Sequence, residues 1–119
     1  MGRSVELEDR TTRFSAECVK VCEALPSRRM GCAIIADQLL RSSMSVAANY
    51  AEATQAESRK DFVHKLKIAL KELTESRTWL KIIAMAEYLV AAQTTDLIDE
   101  SEQLIKILSS SVITARRGL

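Results

Sequence analysis

The chain has 119 residues, 47% hydrophobic but only 4% aromatic, with three Gly and one Pro. That balance supplies helix formers and starves strands and tight turns, and the length suits one domain over 1–119 with a single core. A net charge of +1 from 17 basic and 16 acidic residues excludes a global field for nucleic acid or anionic lipid. No apolar run approaches the roughly 18 to 20 residues of a membrane span. Three cysteines, an odd number, and a polar, charged start rather than an apolar leader point to a reducing cytoplasm.

The first predicted helix covers about residues 4–25, where Leu7, Phe14, Cys18, Val21 and Leu25 fall on one face and Thr11 fills the gap. Cys18 and Cys22 lie one turn apart on it and read as small buried hydrophobes. Pro26 then removes an amide donor, and Ser27 is the next cap, so a very short connection makes the first two helices antiparallel neighbours. The second helix is predicted over about 28–53, with Gly31 in its first turns and a seam of Ile35, Leu39, Ser42, Val46, Asn49 and Ala53. A polar TQAES break follows. Ser58 with Asp61 resembles a capping box and starts a long third helix to about residue 90, whose seam is Phe62, Leu66, Ala69, Leu73, Ser76, Leu80 and Ile83.

The segment AAQTTD ends that helix and offers Thr94 or Thr95 as the next cap, with Asp96, Asp99, Glu100 and Glu102 near the positive end of the dipole. Leu97, Leu104 and Leu108, beside Ile98, Ile105 and Val112, carry the fourth helix to Arg116, Arg117 and Gly118. The sum is an all-α, up-down-up-down four-helix bundle with a long third helix.

Helices two and three each show a second stripe. On helix three it is Ile68, Glu72, Glu75, Trp79, Ile82, Ala86 and Leu89; on helix two, Ala36, Leu40, Ser43, Ala47 and Ala51. A lone bundle needs one face per helix, so the second stripes predict contact with another subunit in a closed homo-oligomer, with Leu40, Ala47, Ala51, Trp79 and Ile82 as interface candidates. The competing reading is a broad core face within one chain.

Arg41, Ser45 and Glu52 stand nearly one above another with Asn49 adjacent, on a helix otherwise built of small residues. Packed against helix three they need partners, of which Glu72, Glu75 and Arg77 are candidates. Arg41, Ser45, Asn49, Glu52 and Glu75 therefore read as a structural polar network that sets helix register rather than as a catalytic set. A di-iron bundle would want two Glu-x-x-His elements; the only His is His64, with Asp61 three residues before it, so no metal and no cofactor is expected. Lys60, His64, Lys67, Lys71 and Lys81 form a basic outward stripe, and between Arg59 and Lys81 there are seven basic against three acidic side chains. Such a stripe is usually a solvated face, yet several copies arrayed together could track a phosphate backbone. Arg59 and His64 also spell Arg-x4-His, which is similar to the active-site motif of the HEPN helical ribonucleases; this two-residue match supplies the alternative, enzymatic reading.

The run ADQLLRSSMSVAANYAEA followed by SRKDFVHKLKIALKELTESRTWLKII resembles the four helix bundle family of bacterial proteins first described as products of intervening sequences in 23S ribosomal RNA genes. The family's Gln-x-x-Arg-x-x-x-Ser-x-x-x-Asn-x-x-Glu pattern maps onto Gln38, Arg41, Ser45, Asn49 and Glu52. Lys60, Asp61, Phe62, Ala69, Leu70 and Glu75 match its next segment, and Leu25 and Pro26 its Leu-Pro. Where many members have Gly-Ser after Ala-Leu, this chain has Lys71 and Glu72. The resemblance implies a homo-oligomer, typically a pentameric barrel or funnel, with no established catalysis. A related accessory protein of diversity-generating retroelements is a pentameric bundle that binds reverse transcriptase and RNA. The expectation is therefore a non-enzymatic, homopentameric scaffold or adaptor in the cytoplasm, with structured RNA or an RNA-handling protein as partner and no membrane association.

Overall fold

The apolar spacing resolves into four α-helices in the computed structural model, which describes residues 2–119, with side chains from Val5 onward. α1 is Gly2–Ala24, α2 Cys32–Thr54, α3 Arg59–Met85 and α4 Thr95–Arg116, with a 3-10 turn at Ala91–Gln93 before α4. No strand occurs among the described residues, and none of their helices is long and apolar enough to cross a membrane. The bundle measures 48 × 21 × 20 Å.

Cross-helix hydrogen bonds set the topology. From α1 to α2, Ser15 Oγ donates to the Ser43 carbonyl and Cys22 Sγ to the Ala36 carbonyl at 3.3 Å. From α2 to α3, the Ser42 and Ser76 hydroxyls meet at 2.8 Å and Lys65 reaches Glu52 at 2.6 Å. Between α1 and α4, Arg10 donates twice to Glu100, at 3.0 and 2.6 Å. In the α1–α2 and α2–α3 pairs the residue numbers rise along one helix as they fall along the other, and the short connection of residues 86–94 returns α4 along α3, which makes the bundle up-down-up-down. The core follows the predicted seam, with Phe14, Cys18, Leu39, Val46, Leu66, Leu73, Leu80, Ile83, Leu104 and Leu108 buried, except that Tyr50 and Val63 are buried where the spacing predicts Asn49 and Phe62, and those two are only partly covered. A fully buried Leu or Phe contributes about 1.5 to 3 kcal/mol, so this seam supplies most of the driving force. Thr11, Ser42, Ser43, Ser76 and Ser101 are buried among these residues, and each donates to a carbonyl of its own helix or to a neighbouring hydroxyl. No buried side-chain N or O atom of the described residues lacks a partner.

Two helix ends differ from expectation. α2 starts at Cys32, not near residue 28, and its cap is Gly31 in the left-handed region (φ 87°), with no side-chain cap from Ser27. A Cβ on Gly31 would also lie 2.9 Å from the Tyr88 hydroxyl, which donates to the Met30 carbonyl at 2.6 Å. The first connection is thus a turn of residues 25–31 clasped to the far end of α3, where Arg29 lies 4.7 Å from the Tyr88 ring centroid and donates to the Glu87 carbonyl. α3 stops at Met85 rather than near 90. The Tyr88 amide bonds to the Ile83 carbonyl and the Glu87 amide to Ala84, the paired bonds of a Schellman stop, with Glu87 in the left-handed conformation (φ 57°) that this stop reserves for glycine. At α3's start the Ser58 cap forms as predicted, accepting from the Asp61 amide at 3.0 Å. Thr94 occupies the cap position of α4 but donates to the Ala91 carbonyl instead of capping.

Removing the Cβ penalty at Glu87 should stabilise the fold: Glu87→Gly is expected to raise unfolding free energy by about 0.5 to 1 kcal/mol in urea titrations. Gly31→Ala should lower it by at least as much. A destabilised Glu87→Gly would show that the left-handed stop carries no strain.

Candidate functional site

Arg41 stands on α2 one residue before Ser42, where the close α2–α3 packing brings its guanidinium to two carboxylates one helical turn apart. Nη1 donates to Glu72 at 3.0 Å and Nη2 to Glu75 in a shorter bond. The Glu75 carboxylate also accepts from the Trp79 indole N–H at 3.0 Å, an i, i+4 contact along α3. The indole and the guanidinium together hold the Glu75 carboxyl below the usual carboxylate range, and the Glu75 contact raises Arg41. Arg41 is about half exposed (49%) while Glu72 is mostly covered (14%), so the cluster lies along the rim of the α2–α3 seam.

The rest of the expected polar network is separate from it. Asn49 donates to the Ser45 carbonyl and hydroxyl, both at 2.9 Å, within α2. Glu52 pairs with Lys65, not with Glu75 or Arg77, and its side chain is exposed. The single ladder predicted from the sequence is thus three local pieces, because the stagger of two antiparallel helices places Glu52 opposite residue 65 and more than two turns from Glu75. Lys65 was not anticipated, and its pKa is raised by the Glu52 contact. Trp79 as a donor to Glu75 was legible in principle from their i, i+4 spacing.

Of the proposed interface residues, Leu40 is 36% and Ile82 37% exposed, and Ala47, Ala51 and Trp79 are half-buried. The helix-two stripe partly packs inside the chain: Ser43 is fully buried, and the Ala36 and Ser43 carbonyls accept from α1. What α2 turns outward is a band rotated from that stripe, comprising Ala33, Ile34, Leu40, Met44 and Ala48, with Asp37 its central charge. Ile34 is 68% and Met44 52% exposed, and α3 exposes Ile82 and Met85. The sequence reading missed Ile34 and Met44, although the core seam at 35, 39, 42 and 46 places 34, 37, 41, 44 and 48 on the opposite side.

Lys60, His64, Lys67, Lys71 and Lys81 are all exposed and make no ion pair among the described residues. Arg59 and His64 do not converge within the chain. Five residues along a helix leave them about 140° apart. Arg59 lies against the end of α4, and His64 lines a separate shallow depression with Ser58, Lys60 and Asp61. No group of three His, Cys, Asp or Glu side chains among the described residues is arranged to hold a metal ion. Burial raises the thiols of Cys18 and Cys22 above their ordinary value, which keeps them protonated and unreactive.

A sequence profile of the 23S rRNA-intervening sequence protein matches residues 3–110. The chain belongs to this family. The family resemblance drawn from Gln38, Arg41, Ser45, Asn49 and Glu52 is thereby shown. Among solved structures, the chain is similar to a protein of unknown function from the S23 ribosomal protein family of Bacteroides thetaiotaomicron VPI-5482. The two are 33% identical, with a TM-score of 0.80, over 89% of this chain and 97% of that one. No curated protein matches.

Within this family member, the Arg41 cluster and the Glu52 pair should differ in energetic weight. Arg41→Ala leaves two adjacent carboxylates facing each other and is expected to cost roughly 1 kcal/mol, the upper end for a half-exposed pair. Glu52→Ala should cost clearly less. Because the Glu75 carboxyl is depressed, its contribution is present above the unfolded carboxylate pKa and lost as pH falls through the folded one. The gap between wild type and Arg41→Gln in thermal melts should therefore close below about pH 4. A pH-independent gap would contradict the assignment.

Proposed function

We propose that the protein is a non-enzymatic scaffold that assembles as a closed homo-oligomer through the outward faces of α2 and α3. The observation that carries this reading is the exposed α2 band of Ala33, Ile34, Leu40, Met44 and Ala48, with Asp37 and Arg41 among them, together with exposed Ile82 and Met85 on the neighbouring α3. Large exposed apolar patches with polar rims mark interaction sites. Contact between different patches of successive subunits closes into a ring, and five subunits is the number the family resemblance supports. The second part of the proposal is a partner. Cyclic repetition of Lys60, Lys67, Lys71 and Lys81 concentrates positive potential that the +1 chain total conceals, and that suits weak, salt-sensitive, sequence-independent binding of structured RNA without turnover. A cytoplasmic setting fits three unpaired cysteines.

Sedimentation equilibrium should give a mass near five times the 13.2 kDa chain, and Ile34→Glu combined with Met44→Glu should dissociate it while circular dichroism stays helical. A wild-type monomer at all concentrations would refute the assembly. For the partner, affinity for structured RNA should fall with salt at a log–log slope of about 0.7 to 0.9 per phosphate neutralised, and weaken in Lys67→Glu with Lys71→Glu. RNA left uncut, equally with His64→Ala, is expected. Cleavage abolished by His64→Ala would instead support the ribonuclease reading, and no nucleic-acid binding at low salt would leave a protein as the partner.

A further inference from the structure

At the end of the bundle opposite Met30 and Met85, where α1 begins, α2 ends, α3 begins and α4 ends, the helices do not close fully. A depression of about 340 Å³ opens there between Leu7, Tyr50, Arg59, Phe62, Ser110 and Thr114. A second, shallower one adjoins it across Arg59 and Phe62, against Ala53 and Ser58. The chemistry of the lining is two-sided. Leu7, the Phe62 ring and Ala115 make an apolar floor, while the hydroxyls of Ser110 and Thr114, i, i+4 on α4, line one wall. Ser110, Thr114 and Arg59 make no hydrogen bond or ion pair to other described residues, whereas the Ser111 hydroxyl is taken by the Ile107 carbonyl. Among the described residues, Arg59 is the one charged side chain lining either depression, and no acidic side chain lines them.

Arg59 is also positioned. A Cβ placed on Gly118 would lie 2.7 Å from Nη1 and 2.9 Å from Cζ, so the guanidinium rests over the peptide just past α4 in space that only glycine leaves open. Arg59 lines the same depression as the α4 hydroxyls, whereas His64 lines a different one. Pockets for small ligands combine an apolar lining of this kind with a few convergent polar groups, in volumes of about 300 to 1,000 Å³.

We infer that this end of the bundle is a binding site for a small amphipathic carboxylate, whose apolar body lies on Leu7 and Phe62 and whose anionic head is held by Arg59 with the Ser110 and Thr114 hydroxyls. A planar guanidinium donates two parallel bonds to a carboxylate, and the hydroxyls can donate to its remaining lone pairs. The site lies at the far end of the bundle from the Met30 and Met85 surface and does not depend on the assembly or RNA readings above.

Calorimetric titration of the intact protein with 2-naphthoate tests the inference, with neutral 2-naphthamide as control. Saturable binding at one per chain is expected, at least about tenfold tighter for the acid than for the amide, since a charge-assisted hydrogen bond is at stake. Arg59→Gln should weaken it by a similar factor. Gly118→Ala should do so as well without unfolding the bundle, because the atom it displaces is the end of a flexible side chain. Absence of saturable binding to wild type, equal affinity for the amide, or undiminished affinity in a folded Arg59→Gln protein would each overturn the site.

Discussion

The bundle depends on how closely α2 and α3 approach at Ser42 and Ser76. Both side chains are fully buried, and their oxygens are 2.8 Å apart. The Ser76 hydroxyl donates to the Glu72 carbonyl at 2.9 Å, so its oxygen is left to accept from Ser42, and the chain of bonds is complete. Two hydroxyls buried without partners would each cost about 1 to 3 kcal/mol. Paired, they permit a contact too tight for Leu while admitting one register alone. A slide of either helix by one turn would break the pair and separate Arg41 from Glu72 and Glu75. This is why RSSMSVAANYAEA carries small and polar residues where an ordinary core helix would carry Leu and Ile.

The consequences spread outward from that seam. Leu39 and Val46 flank Ser42 in the core, and Leu73 and Leu80 flank Ser76, so the register that pairs the hydroxyls also interleaves the large side chains. Arg41, next to Ser42, is carried to the rim, where its ion pairs extend the buried bond to the surface. The same rotation of α2 turns Ile34 and Met44 fully away from the core. The two ends of the bundle then take different forms. At one, Tyr88, Arg29 and Gly31 clasp the first connection shut; at the other, Arg59 over Gly118 leaves an open, positively lined depression.

Much of this was legible in the sequence. Leu7, Phe14, Cys18, Val21 and Leu25 are all buried as their spacing requires, and so is the α3 seam from Leu66 to Ile83. Periodicity reports which face is apolar, and for amphipathic helices that fixes the fold class. What it cannot report is a positive φ. Gly31 reads as helical in a pattern, yet its left-handed conformation is what delays α2 to Cys32. Glu87 gives no signal at all, because the Schellman stop uses a residue whose preferences argue against it. The polar pairings divide in the same way. Arg41 with Glu75 follows from matching two faces, whereas Glu52 with Lys65 needs the interhelical stagger, a tertiary quantity set at Ser42 and Ser76. The Arg59 depression joins residues from all four helices and has no linear signature.

A double-mutant cycle on Ser42→Ala and Ser76→Ala, read by urea unfolding, tests this account most directly. If the buried hydroxyl pair sets the α2–α3 register, the two substitutions should couple by about 1 kcal/mol, with the double variant less destabilised than the sum of the singles. Strict additivity, with coupling indistinguishable from zero, would show that the hydroxyls merely fit the gap and that the apolar seam alone sets the packing.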